Sequence, residues 1–119
     1  MSQDVLDTMI GVGQDAGDPK AAQSHYEAAL AAEADGDRLL AIEELRKACS
    51  LSSQAAHIFR LAYLLDLSGE EDEAVALYEQ LVHLDRPYVN ALLNLSILYE
   101  DRGEVSKAEK CIKQVLDTS

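Results

Sequence analysis

Tryptophan is absent from this chain, and the residues that punctuate or cross-link small folds are scarce: two cysteines, two prolines, one phenylalanine and six glycines in 119 residues. Two cysteines make no disulfide framework of the kind that staples core-poor secreted domains. Few aromatics and prolines beside abundant alanine and leucine give no sign of strands and fit helices. Basic residues are also short, ten against 22 acids, for a net charge of −12. A surface of that sign repels a phosphate backbone, so direct nucleic-acid binding is excluded as an expectation. No apolar run approaches the ~20 residues of a membrane span, and no signal-peptide pattern opens the chain. These absences place the expected protein in a reducing cytoplasm, away from membranes.

What is present is a repeat. A glycine is followed five residues later by an alanine three times: Gly36 and Ala41, Gly69 and Ala74, Gly103 and Ala108, at intervals of 33 and 34 residues. Ala28-Ala29, Leu61-Ala62 and Leu95-Ser96 fall in the same register before the glycines, as do Ala32, Leu65 and Tyr99. After them come Leu45, Tyr78 and Ile112, then Ala48, Leu81 and Val115. Steps of three and four are helical, so each unit reads as helix, tight turn, helix. Small residues at fixed places let two antiparallel helices cross closely, and the glycine supplies a left-handed turn residue. A period near 34 marks stacked helical hairpins, and three of them reach about the minimum for a stable array.

With its small residue in the first helix, its turn glycine and its alanine early in the second helix, the chain resembles the tetratricopeptide repeat family, and the segment Gly69 to Pro87 (GEEDEAVALYEQLVHLDRP) carries the likeness best. His25, Ile58 and Leu92 stand where that family often has Trp. The resemblance implies an all-α, right-handed superhelical solenoid of three antiparallel helix-turn-helix repeats, about 22–54, 55–88 and 89–119, within a domain of residues 20–119. It also implies a noncatalytic, protein-binding adaptor or scaffold. The phrases FRLAYLLDLSGEEDEAVALYEQLVHL and VNALLNLSILYEDRGEVSKAEKCIKQVLD are further similar to the repeat region of certain bacterial proteins. Those proteins also carry a domain like the C-terminal domain of the RNA polymerase α subunit, which would make this a transcription-associated chain.

Residues 1–19 stand outside the repeat as an extension. Val5, Leu6, Met9 and Ile10 lie at helical spacing, Gly11, Gly13 and Gly17 form a connector, and Asp18-Pro19 reads as a helix N-cap followed by proline at the first helical position. Asp4 to Ile10 is read as a short amphipathic helix, and its apolar quartet as a frayed tail, a cap on the first repeat or a docking peptide. The glycines of residues 11–17 lack the strand that a nucleotide-binding loop requires. His25, His57 and His83 have no metal-ligand spacing, and no nucleophile and base are paired, so no enzyme, metal or cofactor is expected. Cys49 and Cys111, two units apart, are read as unbridged small residues. The acidic runs Glu43-Glu44 and Glu70 to Glu73 are either a solvated face that suits helix N-termini or a docking face for a basic partner.

In the family the first helices of successive repeats line a concave groove. By register the groove positions here are Tyr26 and Leu30, then Phe59, Arg60 and Tyr63, then Asn90, Leu93, Asn94 and Ile97. This mostly apolar set, with Arg60, Asn90 and Asn94 as donors, suits a helical or extended peptide of a partner protein. The alternative is that some of these side chains pack between repeats. Family members that clamp an acidic C-terminus use lysines that are missing here, although Arg60 with Asn94 would still hold one carboxylate. The third repeat reaches Ser119 where the family turns into a further helix. Its apolar edge is therefore expected to be exposed, either because the chain is part of a longer one or because another copy covers it in a self-associating module.

Overall fold

The structure is a computed structural model that describes residues 18–84 and 88–118. Val5, Leu6, Met9, Ile10, the glycines up to Gly17, and Pro87 lie outside the described residues. Six helices follow one another: α1 (Pro19–Ala34), α2 (Arg38–Leu51), α3 (Ala55–Leu67), α4 (Glu71–Val82), α5 (Val89–Asp101) and α6 (Val105–Thr118). Among the described residues there is no strand, and the fold is an all-α repeat.

The turn chemistry recurs hairpin by hairpin. Gly36, Gly69 and Gly103 adopt φ of +82°, +84° and +79°. Past each glycine a backbone N–H reaches back five residues: Asp37 to the Ala32 carbonyl at 2.9 Å, Glu70 to Leu65 at 2.8 Å and Glu104 to Tyr99 at 2.8 Å. This left-handed cap satisfies carbonyls that the ending helix leaves open. An added Cβ at Gly69 meets nothing within 4 Å, so only the backbone conformation opposes a side chain there. Gly69→Ala is accordingly expected to cost about 1–2 kcal/mol, read as a lower Tm with unchanged helical content; an unaltered Tm would show that the turn relaxes freely.

N-termini are built locally too. The Asp18 carboxylate accepts from the Ala21 N–H at 3.1 Å with Pro19 opening α1, and Asp37 accepts from the Leu40 N–H at 3.1 Å. Helix α4 lacks a side-chain cap and instead carries Glu71, Asp72 and Glu73 in its first turn, where negative charge suits the helix dipole.

The chain divides into two compact units, one ending at His57 and one spanning Ile58–Ser119. The first buries Ala22, Ala29, Ala32, Ala41, Ile42, Leu45 and Ala48. Alanine dominates this set, and its short side chains let α1 and α2 cross closely. The second buries larger groups: Leu61, Leu64 and Leu65 from α3, Tyr78 and Leu81 from α4, and Leu92, Leu95 and Tyr99 from α5. The Tyr88 N–H donates to the Leu81 carbonyl at 3.2 Å and fixes the entry of α5.

Candidate functional site

In the second unit, α3 and α5 each bury one face and present the other. On α3 the buried Leu61, Ala62, Leu64 and Leu65 leave Phe59, Arg60 and Tyr63 half-buried. On α5, burial of Ala91, Leu92, Leu95, Leu98 and Tyr99 leaves Asn90, Leu93 and Ile97 exposed and Asn94 half-buried. Both sets therefore lie away from the core, as steps of three and four on a helix require.

These side chains divide by what they touch. The Phe59 ring stacks on Tyr88 at 5.1 Å between centroids and 19° between planes, and meets the buried Tyr78 ring at 5.9 Å. Asn94 Nδ2 donates to the Tyr78 hydroxyl at 3.2 Å. Burial pushes the Tyr78 phenol above its ordinary pKa, with the Asn94 bond acting the other way. Phe59 and Asn94 are thus partly engaged in seating α3, α4 and α5 together, and Asn94 keeps its carbonyl oxygen and a second N–H for other partners. The Arg60 guanidinium lies 5.2 Å from the centre of the Tyr63 ring, a cation–π distance that holds a positive charge over an aromatic face. Leu93 and Ile97 are 39% and 59% exposed.

One further residue belongs to this face. Asp66 stands three residues after Tyr63, half-buried, and its carboxyl is pushed above the usual range by burial and then by the nearby Glu71 and Asp101. The steps 59, 63, 66 already placed Asp66 on the line of Phe59 and Tyr63. Sequence reasoning missed it because an acid near a helix end reads as a solvated one. The face thus carries Arg60 and the asparagines toward the N-terminal ends of α3 and α5, and acids toward their C-terminal ends.

In the first unit, Tyr26 is half-buried and its ring stacks on His57 at 4.5 Å and 27°, while Leu30 is 39% exposed. His57 is buried, and its Nδ1 has no hydrogen-bond partner among the described residues. His25 Nδ1 meets the Glu44 carboxylate at 2.8 Å, joining α1 to α2, and Lys47 Nζ meets Glu44 at 3.2 Å. The His25 hydrogen bond, followed by the Lys47 bond, holds the Glu44 carboxyl below its usual value of 4.5. A carboxyl with a depressed folded pKa contributes stability above the unfolded value and loses it as pH falls through the folded one. Glu44→Gln is therefore expected to melt below the unmodified chain at neutral pH, with the gap closing below about pH 4; a gap that persists in acid would assign the loss to packing.

On another side of α5, the Tyr99 hydroxyl donates to Glu79, with Lys107 Nζ 5.5 Å over the Tyr99 ring. Burial raises the Cys111 thiol, Glu79 adding to it, and burial raises the Cys49 thiol. Both are free, and thiols held protonated are weak nucleophiles. Among the described residues no three His, Cys, Asp or Glu side chains gather as a metal site would need, and no helix is long and apolar enough to cross a membrane.

Models of the tetratricopeptide repeat match residues 22–54 and 67–118. The chain is 26% identical over 95 residues to the TPR repeat-containing protein MJ1428 of Methanocaldococcus jannaschii, covering 80% of this chain and 17% of that protein. It is 27% identical over 94 residues to the Photosystem I assembly protein Ycf3 of Synechococcus sp. strain WH7803, covering 76% of this chain and 54% of that one. The crystal structure of MamA superposes with a TM-score of 0.77 at 25% identity, covering 85% of this chain and 60% of that one. The chain thus spans only part of the length of the proteins it matches.

Proposed function

Starting from a chain that belongs to the tetratricopeptide repeat family, we propose that it is a noncatalytic adaptor whose α3/α5 face binds a peptide segment of a partner protein. The observation that carries this reading is an apolar and aromatic set, half-buried Tyr63 with exposed Leu93 and Ile97, flanked on α3 by Arg60, which lies over the Tyr63 ring, and by Asp66. Apolar anchors supply affinity, and end charges set direction. A peptide with its acidic residue beside Arg60 and its basic residue beside Asp66 and Asp101 satisfies both ends. Tyr26 and Leu30 occupy the same register on α1 and are proposed as further contact residues of the first unit. The similarity to a protein named for photosystem assembly agrees with work by binding rather than by catalysis. In its finer form the reading makes the repeats the interaction part of a cytoplasmic, bacterial, transcription-associated protein.

The test is selection from a displayed library of helical and extended peptides. Enriched peptides should share apolar anchors flanked by an acid at one end and a base at the other, and an Arg60→Ala, Tyr63→Ala double variant should lose them. Asp66→Asn should relax the preference for the base by about three- to tenfold. Enrichment that ignores all three residues would place the binding surface elsewhere.

A further inference from the structure

Helices α5 and α6 leave a second apolar surface that shares only Ile97 with the groove reading. An open groove of about 560 Å³ runs between them, lined chiefly by Ile97, Val105, Ala108, Ile112 and Leu116. Val105 is 56% exposed, Ile112 42% and Leu116 69%. In the first two hairpins the register of Ile112 is taken by Leu45 and Tyr78, both fully buried. The corresponding face of α4 is filled by α5, whose Asn94 and Tyr99 bond to Tyr78 and Glu79. Where α4 offers the acid Glu79 to that incoming helix, α6 offers Lys113 at the same register, beside Glu109.

We infer that this face is self-complementary and pairs two copies of the chain about a two-fold axis, with α6 antiparallel to α6 of the partner. The order of residues on α6 supplies the complementarity. Val105, Ile112 and Leu116 form the centre of the stripe, and the exposed Glu109 and Lys113 lie together on one flank of it. A two-fold axis that reverses the helix keeps a flank on its own side. With the axis between residues 110 and 112, Val105 meets Leu116 of the partner copy, the two Ile112 side chains meet at the axis, and Glu109 faces Lys113 of the partner copy. The same contact forms twice. One register therefore matches apolar to apolar and acid to base, which a face built only to receive a different helix has no reason to do. The surface is small, so the pair is weak, in the micromolar range. This inference stands apart from the groove reading, since its charged pair and the centre of its stripe are on α6.

Sedimentation equilibrium of the full chain, from about one to a few hundred micromolar, is expected to show a monomer–dimer equilibrium that weakens as salt rises. Glu109→Lys alone sets lysine against lysine, and Lys113→Glu alone sets acid against acid. Each should weaken the homodimer about tenfold, with helical content unchanged by circular dichroism because both sites are exposed. Mixing the two variants restores both attractive contacts, so the mixture should dimerise better than either alone, and Ile112→Glu should be monomeric throughout. A wild-type chain that stays monomeric over the whole range would overturn the inference. Dimers indifferent to the single charge changes, or a mixture no tighter than its components, would overturn it equally.

Discussion

Truncating Tyr78 to alanine is expected to lower stability by about 3–5 kcal/mol, a large part of the 5–15 kcal/mol that holds a small domain together. Tyr78 is fully buried and heads the largest side chains of the core. Its ring meets Phe59 from α3, and its hydroxyl takes a hydrogen bond from Asn94 on α5, so one residue on α4 ties three helices. Alanine leaves a cavity beside Phe59 in a core already fixed by close packing. Tyr78→Phe keeps the ring and deletes only the hydroxyl, with an expected loss of about 1 kcal/mol; half-buried Asn94 then turns to water. Urea unfolding followed by circular dichroism separates the two. If alanine and phenylalanine variants fell together, the hydrogen bond and not the ring would be holding the unit.

The period of the glycines, the caps at Asp18 and the alanines of the crossings were all readable along the chain, because each depends on a residue and its neighbours within one turn. A positive φ selects glycine whatever lies elsewhere, and a close crossing selects alanine. Burial is a different kind of property. Leu45, Tyr78 and Ile112 share a register, yet the first two are buried and the third is 42% exposed, since exposure depends on what stands opposite. Phe59 and Asn94 show the same limit at the candidate site. Their register puts them on the open face, while the ring of Tyr88 and the hydroxyl of Tyr78 draw them toward the core. Neither partner is near in sequence, so periodicity had no access to the contact. His57 is buried against the Tyr26 ring for a like reason, since a histidine in a helix reads as polar until its neighbour is known.

That division gives the sharpest prediction for the binding face. Tyr63→Ala should leave the Tm within a degree or two, because Tyr63 is half-buried and outside the packed face of α3. Against a peptide enriched on the wild-type chain, it should weaken binding about 30-fold or more, the loss typical of an aromatic anchor worth 2 kcal/mol. The Arg60 guanidinium lies over the same ring, and that cation–π contact, worth about 0.5–1 kcal/mol, is lost from the free and the bound chain alike. Asn94→Ala should behave in the opposite order. It removes the partner of the Tyr78 hydroxyl, so the Tm falls first, and binding falls only as far as the α3/α5 face loosens. Calorimetric melting and peptide titration on both variants distinguish an anchor from a strut. If Tyr63→Ala lowered the Tm as far as Asn94→Ala while peptide affinity held, Tyr63 would be a packing residue and the α3/α5 face would lose its central contact.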